Sequence, residues 1–83
     1  MTLDVGGARI VKHSLVISGH PTSVSLEDAF WRRLRAIAAQ RSVSVNSIAA
    51  CVDRRRGEAN LSSALRVFIL ETLTISIVPD EAR

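Results

Sequence analysis

The chain begins with alternating apolar and polar positions and continues with helical spacing. From Arg9 to Ser18 the run RIVKHSLVIS is rich in β-branched residues and carries no helix signal. Val11, Leu15 and Ile17 fall on one face with His13 among them, while Lys12, Ser14 and Ser18 fall on the other, the period-two pattern of a strand. Gly19, His20 and Pro21 interrupt it. Thr22, Val24 and Leu26 then alternate with Ser23 and Ser25 in a second short strand. A two-residue turn at Gly19 and His20 sets Ile17 opposite Thr22 and Leu15 opposite Val24, so that the two apolar faces coincide. Glycine at the first turn position suits a type II′ hairpin. Pro21 stands against that turn, because it cannot donate the closing hydrogen bond. A bulge in one long strand is the competing reading, and the pattern leaves both open.

Three helices are expected after the strands. Ser25 is the expected N-cap of the first, with Asp28 three places on in a capping-box-like position. Phe30, Leu34, Ile37 and Ala38 repeat at helical spacing, Trp31 flanks the stripe, and Arg32, Arg33 and Arg35 take the other faces. This helix is predicted from about Glu27 to Arg41. Ser44 is a good N-cap for a second, whose stripe is Val45, Ile48, Ala49 and Val52 and whose end is Arg54, Arg55 and Arg56 before Gly57. Asn60 caps a third, from Leu61 to about Leu73, in which Leu61, Ala64, Leu65, Phe68 and Ile69 line one side and Val67 and Leu70 widen it. The order is strand, strand, helix, helix, helix. Residues 1–8, with Gly6 and Gly7 and no period, read as a flexible arm. Residues 9–73 form the domain, and residues 74–83 are a tail that adds an edge strand or frays.

Composition sharpens this picture. Of 83 residues, 47% are hydrophobic, mostly aliphatic. A chain this short buries only about 60% of its unfolded surface. A partner, most simply a second copy, is therefore expected to cover the rest. Charge is uneven along the chain. Glu27, Asp28 and Asp53 face Arg32, Arg33, Arg35, Arg41, Arg54, Arg55 and Arg56 in the middle third, a net +4, whereas residues 57–83 carry a net −2. All the basic residues except Lys12 are arginine, the side chain suited to bidentate phosphate contact. A basic middle invites a polyanionic partner; a solvated helix face is the plainer account.

Several classes of chemistry are excluded. A single cysteine, Cys51, permits no internal disulfide and no cysteine-based zinc site, and it reads as a buried, inert thiol. His13 and His20 have no third ligand spaced to join them. His13 reads as a structural histidine on an apolar strand face and His20 as a turn residue able to reach a phosphate or base. Glu27 and Asp28 point about 100° apart on a helix and form no facing acid–base pair. No nucleophile elbow, Walker A or dinucleotide-binding glycine pattern occurs. No enzyme, metal or cofactor is expected. No apolar run is long enough to span a bilayer, and a cytoplasmic protein is expected.

A binding constellation remains: a short strand with small polar residues facing out, followed by two helices separated by a serine-capped turn. Such a strand paired with its twin from a second subunit makes a ribbon that fits the DNA major groove. The second helix then offers backbone N–H groups to a phosphate. The stretch from Thr22 through Val52 resembles the ribbon-helix-helix superfamily of Arc/MetJ-type repressors, most clearly at Ser44, Val45, Asn46 and Ser47. More narrowly, GHPTSVSLEDAFW (Gly19 to Trp31) and NLSSALRVFIL (Asn60 to Leu70) resemble a bacterial family of small ribbon-helix-helix proteins with motifs near G-H-R-T-S-x-x-L-E-x-x-F-W and N-L-S-S-A-L-R. The likeness covers about residues 12 to 71.

The resemblance implies a mainly α fold with a short β ribbon: a ribbon-helix-helix unit with an added N-terminal strand and third helix, in an intertwined homodimer. It implies a dimer core of Thr22, Val24, Leu26, Phe30, Leu34, Ile48 and Val52. It implies DNA contacts from His20, Pro21, Ser23 and Ser25 on the ribbon, and from Ser44, Val45 and Asn46 on phosphate. Pro21 stands where that family usually has arginine, which leaves the outward ribbon face without a long base-reading side chain. The expected function is a transcriptional regulator bound to double-stranded DNA. The alternative is a dimerisation or protein-interaction module, with a partner docked on the third helix. Dimer and tetramer are both left open.

Overall fold

The computed structural model describes residues 5–77. Two antiparallel strands, β1 (Ile10–Ile17) and β2 (His20–Glu27), lead into three helices, α1 (Asp28–Gln40), α2 (Val45–Arg55) and α3 (Leu61–Ile77). The hairpin is present, which removes the bulged single strand. Its turn lies one residue earlier than expected, at Ser18 and Gly19, both with positive φ (52° and 81°). Two positive φ values make a type I′ turn, whose twist matches that of the strands it joins.

Moving a two-residue turn by one position moves every cross-strand partner by two. Ile17 therefore pairs with His20, Leu15 with Thr22 and His13 with Val24, in place of Ile17 with Thr22. A slip of two keeps each side chain on its own face, so the expected faces survive the corrected register. Pro21 is also explained. In a two-residue hairpin the flanking pair is hydrogen-bonded and the next pair is not. Pro21, opposite Val16, occupies a position whose N–H would point away from β1. The Val16 N–H does point outward, to Asn46 Oδ1 at 3.3 Å.

The strand continues to Glu27, opposite Ile10, and this overturns Ser25 as a helix cap. Ser25 is committed to the ladder opposite Lys12. Glu27 is the N-cap of α1 without a side-chain capping bond, and the Asp28 N–H donates instead to the Arg9 carbonyl at 2.7 Å. The arm is partly structured: Gly6–Ala8 form a 3-10 turn against α1. A Cβ on Gly7 would stand 2.8 Å from Ala29 Cβ, so only glycine permits that approach.

At the other end of α1, Ser42 takes a left-handed conformation (φ 56°). The Val43 N–H donates to the Ala38 carbonyl and the Ser42 N–H to the Ala39 carbonyl, a Schellman closure with serine where glycine is usual. Ser44 caps α2 as expected, its hydroxyl accepting from the Ser47 N–H at 3.0 Å. Gly57 follows α2 with φ 58°, and Asn60 caps α3 through the Ser63 N–H at 2.8 Å. Residues 74–77, expected as strand or fraying tail, continue α3; residues 78–83 lie outside the described part.

One core fills the space between hairpin and helices. Leu26, Leu34, Ala49 and Leu65 have no exposed surface, and Leu15, Ile17, Val24, Trp31, Ile37, Ala38, Ile48 and Ile69 join them. Trp31, expected at the flank, is the buried aromatic, and Phe30 packs against the core from its edge. The Trp31 Nε1–H donates to the Val11 carbonyl at 2.9 Å, and its ring lies 4.1 Å from that of His13. Of the residues expected in a dimer core, Val24, Leu26, Leu34 and Ile48 are buried within one chain, while Thr22, Phe30 and Val52 are half-buried.

Candidate nucleic-acid interface

The alternation that buries one hairpin face turns the other outward. Along β1 the outward residues are Ile10, Lys12, Ser14 and Val16, all exposed. Along β2 they are Pro21 and Ser23, exposed, and Ser25 and Glu27, half-buried. Register sets Lys12 beside Ser25, Ser14 beside Ser23 and Val16 beside Pro21. His20 is exposed at the start of β2, its carbonyl accepting the Thr22 hydroxyl at 3.2 Å. The face is small and polar at its centre.

One hydrogen bond ties the start of α2 to the outer edge of β1. Asn46 accepts the outward Val16 N–H, so the second residue of α2 is fastened to the outer edge of β1. The Ser44 hydroxyl lies 2.9 Å from that of Ser47 and accepts the Ser47 N–H, while the Ile48 N–H donates to the Ser44 carbonyl. The remaining first-turn amides, those of Val45 and Asn46, have no acceptor within the helix. They carry the positive end of its dipole. Val45 turns its side chain into the core and brings only its backbone to the site.

Glu27 closes the ribbon's far end. Arg66 Nε donates to its Oε1 at 2.9 Å, and this bond, with Arg66's charge and a backbone hydrogen bond, holds the Glu27 carboxyl below its ordinary pKa. Glu27 thus joins β2 to α3.

A second feature lies between α2 and α3. An open groove of about 710 Å³ is lined by Ile48, Val52, Val67 and Phe68 together with Arg41, Arg55 and Glu71. Cys51 lines it and is half-buried, more open than the buried thiol expected. Arg41 stacks over Phe68, 5.5 Å from the ring centre. Among the described residues no cluster of three potential metal ligands occurs, and no helix is long and apolar enough to cross a membrane.

The family model for the ribbon-helix-helix domain matches residues 10–73. The chain belongs to the ribbon-helix-helix family. The matched span covers β1 and most of α3 as well as the ribbon strand and the two helices that follow it. A solved structure, that of an uncharacterized protein from Bordetella pertussis Tohama I, is similar at 29% identity and a TM-score of 0.75, over 98% of this chain and 76% of that one. None of the curated proteins matches the chain.

Within the ribbon-helix-helix frame the expected site residues fall in two groups. His20, Pro21, Ser23 and Ser25 share the hairpin, and Ser44, Val45 and Asn46 share the start of α2; the Val16–Asn46 bond joins the groups. Sequence reasoning left out Lys12 and Ser14, although alternation already turned both outward. Asn46's acceptor role toward a strand 30 residues earlier had no signal in the sequence.

Proposed function

We propose that this ribbon-helix-helix protein binds double-stranded DNA as a homodimer and acts as a transcriptional regulator. The outer edge of β2, from Ser23 onward where its residues carry an N–H, pairs with its copy in a second chain. Pro21, Ser23 and Ser25 enter the major groove, with His20 at the ribbon's end. The amides of Val45 and Asn46, with the Ser44 hydroxyl, hold a phosphate beside it. The observation that carries this reading is the Val16–Asn46 hydrogen bond, which fastens an uncommitted helix N-terminus to the edge of an outward-facing ribbon. The two strands differ at their outer edges. That of β1 is met by Asn46, whereas β2 presents its edge to no further strand among the described residues.

Replacing Ser44 with aspartate tests the phosphate grip. Aspartate is as good an N-cap as serine, so helix and dimer stay intact, but its carboxylate repels a phosphate at the same amides. S44D is expected to melt at or above the wild-type temperature and to lose DNA affinity at least tenfold in fluorescence anisotropy. Wild-type affinity in S44D would remove the phosphate contact from α2.

The α2–α3 groove, with exposed Val67 and Leu70 on α3, supports a second reading: a module that docks a protein partner. A folded protein that leaves a duplex free even at low salt would favour it.

A further inference from the structure

The hairpin gives β1 an outward face of its own, on which Lys12 and Ser14 are exposed beside Ser25 and Ser23 of β2. Lys12 is the chain's single lysine. Pairing two copies through β2 therefore yields more than a two-stranded ribbon. The order becomes β1, β2, then the second copy's β2 and β1, a four-stranded antiparallel sheet about a two-fold axis.

Simple dimensions say what each strand then meets. Neighbouring strands lie about 4.8 Å apart, so the two β2 strands sit within about 5 Å of each other and the two β1 strands about 14 Å apart. The major groove is about 12 Å wide. The inner pair fits inside the groove, and the outer pair lies over its two walls, where the phosphates are. At the centre of the sheet, between the exposed Ile10 and Val16 at the ends of β1, side-chain chemistry follows the same division. Pro21, Ser23 and Ser25 on the inner strands are small and let the sheet approach the base edges. Lys12 on the outer strand is a point charge on a flexible stem, suited to a phosphate whose position varies with groove width.

We propose that β1 is a phosphate-gripping flank of the ribbon, with Lys12 of each copy on one phosphate at either side of the groove. The proposal rests on the DNA-binding reading above and assigns a role to a strand outside its contact residues. The Ser14 hydroxyl, two residues along the same face, stands within the same approach. The contact is to backbone and not to bases, so it adds affinity without sequence preference.

Counterion release makes the test quantitative. Each phosphate contact contributes about 0.9 to the slope of log affinity against log salt, and a dimer carries two copies of Lys12. Anisotropy titrations of a mixed-sequence duplex at four or more salt concentrations should give Lys12→Ala a slope shallower than wild type by about 1.8. Lys12→Arg should keep the wild-type slope. All three proteins should melt together, because Lys12 is exposed. A wild-type slope in Lys12→Ala, from a wild type that binds and an S44D variant that does not, overturns the flank and leaves the α2 grip standing. A wild type that binds no duplex at low salt overturns both.

Discussion

Trp31 and Phe30 exchange the roles that helical spacing alone assigns them, and the reason lies outside their helix. The indole N–H needs a buried acceptor, and the Val11 carbonyl of β1 supplies one, with the His13 ring alongside. Neither partner can be read from the periodicity of α1. Glu27 is a similar case. The sequence places it at the start of a predicted helix with no partner, yet its partner is Arg66, 39 residues on. Because Arg66 lowers the Glu27 pKa, the ion pair stabilises the fold above the ordinary carboxylate range and is lost as pH falls through the lowered folded value. Denaturant midpoints of wild type and Glu27→Gln should therefore differ at pH 7 and converge on acidification. A constant gap across that range would mean that the pair contributes no pH-dependent stability.

At the scale of elements, the sequence was most informative where capping chemistry is strong. Ser44 and Asn60 cap α2 and α3 as their side chains predict, because each hydroxyl or amide competes well for a first-turn N–H. The hairpin turn was less legible. Glycine marks φ > 0 but does not say which turn position it fills, and Gly19 turned out to be the second residue of a type I′ turn. The helix end at Ser42 gave no sign of its left-handed backbone, since serine rarely adopts it. That position predicts a gain: Ser42→Gly relieves about 1–2 kcal/mol of left-handed strain against an entropic cost of about 0.5–1 kcal/mol. Thermal and urea unfolding should show Ser42→Gly more stable by about 0.5–1 kcal/mol. A destabilised variant would mean that the serine side chain, and not the backbone, matters there.

For the whole molecule, composition anticipated a surplus of apolar surface, and the structure shows where it lies. One chain buries Val24, Leu26, Leu34 and Ile48 by itself, in a core to which β1 contributes Leu15 and Ile17 and α3 contributes Leu65 and Ile69. Among the described residues the surplus remains at Val5, at Ile10 and Val16 on the ribbon, at Val43 before α2, and at Val67 and Leu70 on α3. The ribbon-helix-helix frame was legible from two motifs and the alternation of β2. The site was legible as residue types but not as geometry, since the bond that fastens α2 to β1 joins residues 30 apart.

A dimer of this chain that grips DNA phosphates on either side of its ribbon must bind duplexes of any sequence through their charge. Titration of a short mixed-sequence duplex at low and near-physiological salt, followed by anisotropy, tests this most directly. Saturation at two chains per site is expected, with an affinity that falls steeply as salt rises. An unchanged anisotropy at low salt, from protein shown to be folded, would contradict it.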